Sequence, residues 1–577
     1  MSSNSSRRQF LRRASLAAGG IFLAPNFISC NNDDDTMVGV DFDSLSNLNF
    51  DFGVASFDPT QSSVIIWTRY STNAASAEIS WQVATDMNFN SILREGTVTT
   101  DASRDYTVAI ELQNLDAGQK LYYRFANAAD DAKSDIGETL TFPENANEVK
   151  FAVTSCANIA SGLFNVYKEM ANSDADVIIH LGDYIYEYGQ GEYGTTPQTD
   201  ALGRTPDPTT EIVSLDDYRT RYRQYRGDVN LKLAHQKKPF IAVWDDHEIT
   251  NDAYIDGAQN HQEDTEGSFE ARKQVALQAY SEYLPANTNN NSVIYRSFQV
   301  GNLVNLIMLD TRLIGREKQL DYGDYIDNQG NLDAVAFQTD LLNPTRTMLG
   351  ATQLSWLLGE IQSSSAQWQV LGQQVLMGRM NIPADLLLFL GQIEAELSAT
   401  GTVSDQTFLA FNTTLTELVT LKVRALSNDP TLTVEELTRI NTVIPYNLDA
   451  WDGYPAEREA ILAALQGKNS VVLAGDTHNA WSSTLKTQQG STVATEFASS
   501  SVSSPGFEQF LGTDPVVVGG FEQAITTLID DLNYFDASRR GYMKVTINGS
   551  GATSEWIYIS DILSEAYVAT TGNTISV

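Results

Sequence analysis

Cysteine is nearly absent from this chain. Two residues, Cys30 and Cys156, among 577 leave no room for a stabilising disulfide framework, so each thiol needs its own explanation. Histidine is scarce as well, with 5 in the whole chain. Positive charge is outnumbered: 37 Lys and Arg stand against 73 Asp and Glu, for a net charge of -36. Such a surface repels nucleic-acid backbones and anionic lipids at long range, which argues against a basic groove and against a specific nucleic-acid partner. A chain this acidic that handles phosphate needs positive charge supplied locally, and bound metal ions would supply it. The apolar runs are too short to span a bilayer, and no internal repeat is present. Length is not lacking, since 577 residues suffice for two or more domains and a large core.

The amino terminus has an address. Ser6-Arg7-Arg8-Gln9-Phe10-Leu11-Arg12, followed by a small-residue apolar stretch from Ala14 to Ile28, has the pattern of a twin-arginine export signal. Phe27-Ile28-Ser29-Cys30 resembles a lipobox with Cys30 as the lipidated first residue of the mature chain, although Phe27 stands where leucine is more usual. The acidic Asn31-Asn32-Asp33-Asp34-Asp35 resembles a surface-export tether and reads equally well as a solvated linker. The division expected here is a signal over 1–30 and an acidic linker over 31–50. The expected protein is exported by the twin-arginine machinery, already folded, to the periplasm or cell surface, with a lipid anchor to the membrane at Cys30.

From 51 to 143 the chain is a series of short alternating runs with no helical period, such as Ser63-Val64-Ile65-Ile66-Trp67-Thr68 and Lys120-Leu121-Tyr122-Tyr123-Arg124-Phe125. This spacing predicts an immunoglobulin-like β-sandwich that positions rather than reacts. A polar link through Glu144-Asn145-Ala146-Asn147 leads to a second domain over 148–562, with a largely helical insertion at about 383–444 and a polar tail over 563–577.

The second domain carries the chemistry. Val177-Ile178-Ile179-His180-Leu181 is a buried-strand pattern that runs into Gly182-Asp183-Tyr184-Ile185-Tyr186. Asp183 is a natural bridging carboxylate, and Tyr186 could add a phenolate to the same ion, which suits ferric iron better than a divalent one. Three further strands end likewise: Phe151-Ala152-Val153-Thr154-Ser155 at Cys156; Phe240-Ile241-Ala242-Val243-Trp244 at Asp245-Asp246-His247-Glu248; and Val471-Val472-Leu473-Ala474 at Gly475-Asp476-Thr477-His478. Ligands at the carboxyl ends of strands are the habit of α/β proteins. Taken singly, Cys156 reads as a core thiol, His247 as a salt-bridge residue and Asp476-Thr477-His478 as a helix cap. Four strands ending this way point instead to metal-assisted phosphoester hydrolysis. In that chemistry cations activate a water and clamp the phosphoryl oxygens, no serine nucleophile is required, and no covalent enzyme intermediate forms. His247, free of metal, would hydrogen-bond the phosphoryl group or leaving oxygen, with Asp246 beside it.

These motifs resemble those of the PhoD-like alkaline phosphatase/phosphodiesterase family in the calcineurin-like metallophosphoesterase superfamily. The likeness covers nearly the whole mature chain: Gly53-Val54-Ala55-Ser56, Thr154-Ser155-Cys156, Gly182-Asp183-Tyr184-Ile185-Tyr186-Glu187-Tyr188, Trp244-Asp245-Asp246-His247-Glu248, Leu309-Asp310-Thr311-Arg312 and Gly475-Asp476-Thr477-His478-Asn479-Ala480-Trp481. Phe57 departs from it where glycine is common. The resemblance implies an α/β fold, a metallophosphoesterase-type layered α/β sandwich preceded by an immunoglobulin-like β-sandwich domain, and a phosphate-ester substrate. It implies Fe3+ on Cys156, Asp183, Tyr186 and His478, and Ca2+ served by Asp183, Asn251 and Asp476. Asp246 stands where the superfamily has a metal-binding asparagine, so Asp246 and Asn251 compete for that role.

Two arginines are candidates for substrate contact. Arg204 lies on a Gly/Pro-rich loop after the Asp183 motif, and Arg219 in the basic-aromatic segment 218–226, which reads better as a helix packed on the core. Two other identities are open. A purple-acid-phosphatase-like enzyme shares the sandwich and a Gly-Asp-x-x-Tyr motif but would have aspartate at Cys156 and a Gly-His-x-His ending. A non-catalytic surface-binding lipoprotein could keep the scaffold without its ligands.

Overall fold

Residues 28–29, 40–47, 49–288, 290–327, 332–400 and 402–577 are described by a computed structural model. The Arg7-Arg8 motif, Cys30 and residues 31–39 of the acidic linker lie outside the described residues. Among those described, no helix is long and apolar enough to cross a membrane.

The strands whose carboxyl ends matter fall into two sheets. In the first, β9 (Glu148–Thr154), β10 (Val177–His180) and β11 (Phe240–Ala242) run parallel, with β10 central. β19 (Arg540–Asn548) pairs antiparallel with β9, and β20 (Gly551–Ile559) and β21 (Ala569–Ser576) follow, each antiparallel to the strand before it. In the second sheet, β13 (Val304–Met308), β14 (Trp368–Gly372), β15 (Asn469–Ala474) and β17 (Thr492–Ala498) are parallel neighbours; β12 (Arg296–Val300) pairs antiparallel with β13, β16 (Ala480–Lys486) with β17, and β18 (Leu532–Asp536) with β16.

Strand alternation places the two sheets against each other. Leu306, Val370, Val471 and Leu473 share a core with Val153, Ile178 and Ile179 of the first sheet. Their sequence neighbours Ile307, Leu371, Val472 and Ala474 point the other way, into a second core with Leu357, Ile361 and Ile461 from the covering helices. Both faces are buried, which is why these strands read as continuous apolar runs.

The amino-terminal sandwich shares a sheet with the catalytic domain. Its β1 (Val54–Phe57), β2 (Val64–Arg69) and β5 (Thr107–Leu112) are not a closed sheet: β1 pairs with β11 through Phe57 and Phe240, so the first sheet runs on into the sandwich. Facing them are β3 (Ser76–Ala84), β4 (Ile92–Asp101), β6 (Lys120–Asn127), β7 (Ala132–Lys133) and β8 (Gly137–Leu140). Val54, Val64 and Ile66 fill the sandwich, while Ala55, Phe57, Ile65 and Trp67 pack into the catalytic core. Asp58 and Arg296 close the joint with two bonds of 2.7 Å between buried groups.

Between 383 and 444, where a largely helical insertion was expected, lie α3 (Ala384–Thr400), α4 (Asp405–Leu426) and α5 (Val434–Asn441); α1 (Asn165–Asn172) and α2 (Leu215–Gly227) come earlier in the chain. Phe411 of α4 meets Phe521 of α6 (Pro515–Leu528) with ring centres 6.2 Å apart, so the insertion is seated on an aromatic cluster of the core. The polar tail expected over 563–577 is a correction: Ala569–Ser576 is an edge strand paired along β20. Its Thr, Asn and Ser side chains alternate with few apolar ones, because one side of an edge strand faces solvent.

Candidate metal centre

Each strand end turns sharply. Cys156, Asp183, Asp476 and His478 have φ of 60°, 57°, 65° and 62°, in the left-handed region that a non-glycine residue enters at a cost of roughly 1–3 kcal/mol. The turns are held by specific contacts. Gly182 has φ +110° and lies so close to the next turn that a Cβ would stand 2.4 Å from Asp245 Cβ. Buried Glu248 accepts from the backbone N–H groups of Asp183 (3.1 Å), Tyr184 and Asp245 (2.7 Å), tying two strand ends together. Gln374 donates to Trp244 O and Leu309 O and accepts from Thr311, linking the first sheet to the second.

The side chains these turns deliver converge. One ligand atom each from Cys156, Asp183 and His478 lie within 4.8 Å of one another. Tyr186 Oη stands among them, donating to Asp183 Oδ2 at 2.9 Å and lying 3.2 Å from His478 Nε2. Ser504 Oγ is 2.7 Å from Tyr186 Oη and 3.0 Å from Cys156 O. His478 Nδ1 is 2.8 Å from Pro505 O, which orients the ring and leaves Nε2 for the site.

Two further groups share these residues: Asp183, Asp246 and His247, and Asp245, Asp246 and Asp476, again with ligand atoms within 4.8 Å. Asp183 belongs to the first of these and to the thiol-phenol group, which suits a carboxylate that bridges. The guanidinium of Arg312 lies against the acids. It bonds Asp245 Oδ1 through Nε, Asp449 Oδ1 through Nη1 at 2.8 Å and Asp476 Oδ1 through Nη2 at 3.0 Å, with Asp246 Oδ1 at 3.5 Å.

Charge at the site is unbalanced. Burial, then the charge of Asp183, pushes the Cys156 thiol well up; burial, Asp183 and Cys156 do the same to the Tyr186 phenol. Burial also raises Asp183 well above the carboxylate range, against the pull of His247. Asp246 goes the other way: burial works against its charge, but Arg312 and His247 outweigh it and bring it down to about 2. Asp183 Oδ1 and Asp245 Oδ2 are buried without a hydrogen-bond partner. A thiol, a phenol, an imidazole and a carboxyl group that resist ionisation together, beside orphaned carboxylate oxygens, fit a site completed by cations.

Sequence reasoning missed several supporting groups. Glu187 is wholly buried and its Oε2 is 2.7 Å from His247 Nδ1; Oε1 accepts from Asn251 N at 2.8 Å and Asn260 Nδ2 at 3.0 Å. Burial opposes protonation of His247, but Glu187, Asp183 and Asp246 raise it well above its ordinary value. A charged residue among Tyr186, Tyr188 and apolar neighbours was the available signal, since carboxylates are seldom buried unless paired. Glu248, Asp245 and Asp449 gave no comparable sign. The other three histidines are structural: His180 bonds Tyr167, His235 bonds Tyr184, and His261 pairs with Glu266.

Asn251 donates from its amide to Gln259 Oε1 at 3.0 Å, and Asp246 lies in both acidic groups. Two expected residues are placed differently, since neither arginine bonds a residue of the centre. Arg204 is buried against Asp228 (2.7 Å), Ile159 O and Gly162 O. Arg219 pairs with Glu282 and donates to Ser103 O of the sandwich. The α2 helix packs Tyr218, Tyr222 and Tyr225 into the core, and its arginines brace the joint between domains.

The PhoD-like phosphatase family matches residues 151–556, and the N-terminal domain of PhoD-like phosphatases matches residues 38–143. The chain belongs to the PhoD-like phosphatase family. This PhoD-like phosphatase is similar to alkaline phosphatase D of Bacillus subtilis (strain 168), with 32% identity over 491 residues that cover 80% of this chain and 71% of that protein. It also resembles a solved structure of PhoD, with 28% identity and a TM-score of 0.70 over 92% of this chain and 90% of the other. Membership makes the PhoD-like chain a phosphoric ester hydrolase. It favours neither the purple-acid-phosphatase alternative nor a scaffold without activity.

Proposed function

We propose that this PhoD-like phosphatase is an exported, metal-dependent enzyme that hydrolyses phosphomonoesters, phosphodiesters or both by direct attack of water on phosphorus. The observation that carries the proposal is the convergence of Cys156, Asp183, Tyr186 and His478 beside the acids Asp246 and Asp476. Ferric iron suits the thiol-phenol-imidazole set, because hard anionic oxygen and thiolate donors offset a high charge. Calcium, which favours oxygen ligands, suits Asp183, Asp246, Asn251 and Asp476. When bound, such cations would activate a water and neutralise charge on the phosphoryl oxygens. The chain's own residues do the rest. Asp183 spans the two groups, Ser504 and Pro505 fix the phenol and the imidazole, and His247, oriented by Glu187, presents Nε2 to the phosphoryl group or the leaving oxygen.

The twin-arginine pattern at Arg7-Arg8 supports export of a folded, metal-loaded protein, and Cys30 offers a lipid anchor at the periplasmic or cell-surface side. Replacing both arginines by lysine should leave the protein inside the cell; export of that variant would remove the twin-arginine route. The activity is tested by kcat/KM for a chromogenic phosphomonoester and the matching diester from neutral to alkaline pH. Preference for the monoester at alkaline pH means an alkaline phosphatase, and preference for the diester means a phosphodiesterase. Turnover of neither would overturn the proposal.

A further inference from the structure

Arg312 stands out among the groups to which the hydrolytic reading gives no task. Its backbone is fixed: Asp310 Oδ1 accepts from Arg312 N at 2.8 Å and Leu313 N at 2.9 Å, and Thr311 Oγ1 donates to Gln374 Oε1 at 2.7 Å. Its side chain is 1% exposed, yet all four acids it touches face the centre or its rim. Among the described residues, every ion pair of Asp245, Asp246 and Asp476 is made with Arg312.

The four contacts are not equivalent. Asp245 is as buried as Arg312, and Asp449 is held from behind by Arg316 and by its own backbone bond to Asn447. These two anchor the guanidinium through Nε and Nη1. The Nη2 edge instead faces Asp476 and Asp246, acids in the groups that would hold cations. The side chains of Asp449 and Asp476 are 17% and 18% exposed, against 1% and 5% for Asp245 and Asp246, so solvent reaches the site from the Nη1–Nη2 side.

We propose that Arg312 grips the phosphoryl group of the substrate through Nη2. Were Asp246 and Asp476 to hold cations, the Nη2 N–H groups of Arg312, on a guanidinium anchored at Nε and Nη1, would be available to a phosphoryl oxygen entering from the solvent side. A planar fork of donors matches that oxygen geometry in a way an ammonium does not. The proposal rests on the phosphoesterase reading and would make Arg312 a catalytic residue.

The test compares wild type, Arg312→Lys and Arg312→Gln, each loaded with iron and calcium and checked for metal content and melting temperature. Inhibition by inorganic phosphate and kcat/KM are measured on all three. Arg312→Lys is expected to keep its metals and to lose about 10- to 100-fold in phosphate affinity, with a fall in kcat/KM of similar or larger size. Phosphate inhibition equal to wild type in either metal-replete variant would overturn the proposal, as a mere clamp on carboxylates would give that result. Should the variants fail to fold, modification of wild-type arginines by phenylglyoxal decides. Phosphate should protect Arg312 in the metal-loaded protein only, as read by peptide mass mapping; no labelling of Arg312, or labelling that phosphate does not slow, overturns it. Absence of turnover in wild type would count against the phosphoesterase reading itself and is separate from both.

Discussion

Glu187 Oε2 lies 2.7 Å from His247 Nδ1, and neither side chain has more than a small fraction of its surface in solvent. A histidine held at one nitrogen by a buried carboxylate has its ring plane and its free nitrogen set in advance. His247→Asn should therefore lower kcat by about 100- to 10,000-fold with metal content intact. Glu187→Gln should lower it less, and the double variant should be no worse than His247→Asn alone. Additive losses would show that Glu187 acts on the 250–260 loop, where it also bonds Asn251 and Asn260, and not through the histidine.

Tyr186 Oη sits between a carboxylate and an imidazole next to a buried thiol. Ferric iron in that position should give the protein a visible tyrosinate charge-transfer band. Tyr186→Phe is expected to remove the band, and Cys156→Ala to lower iron content and activity together. A colourless wild type carrying its full complement of iron, or normal iron in Cys156→Ala, would contradict the ligand assignment.

Gly182 is required by space as well as by its φ of +110°. A methyl group there would meet both Cβ and the backbone nitrogen of Asp245, at 2.4 and 2.6 Å, and force apart two turns that carry ligands. Gly182→Ala should cost roughly 3 kcal/mol or more and reduce bound metal. Unchanged melting temperature and metal content would mean that the turns have more room than their packing allows.

Away from the centre, burial raises Glu496 from 4.5 to about 7, although Met377 N and Gly378 N donate to it. The folded protein thus keeps a proton that the unfolded chain releases. Its contribution to stability is intact below about pH 4.5, falls as pH rises to about 7, and is lower by on the order of 3 kcal/mol above that. Glu496→Gln cannot ionise, so its urea midpoint should fall less than that of wild type between pH 5 and 7.5. Equal slopes for the two proteins would show that Glu496 is not the group responsible.

Much of this site was legible because each ligand follows an apolar run. Val177–Ile179 before Gly182-Asp183, and Val471–Ala474 before Gly475-Asp476, announce buried strands whose ends must turn, and the residue types at the turns name the chemistry. What sequence could not show was partnership across the chain. Glu248 looks like any surface carboxylate until the backbone of Asp183 and Tyr184 is brought to it. Arg204 and Arg219 look as fit for phosphate as Arg312, and only packing shows which guanidinium reaches the acids. Val64-Ile65-Ile66-Trp67 reads as a strand either way, so its second buried face, against the catalytic core, was hidden. The edge strand Ala569–Ser576 was hidden because it carries too few apolar residues to signal one.

Metal dependence of turnover is the most direct test. Hydrolysis of a chromogenic phosphate ester should be measured on the purified protein as iron and calcium are removed by chelation and restored in turn. Activity should disappear with either ion and return only when both are present. Undiminished turnover in protein shown by elemental analysis to hold neither would contradict the assignment of Cys156, Asp183, Tyr186, Asp246, Asp476 and His478 to a working metal centre.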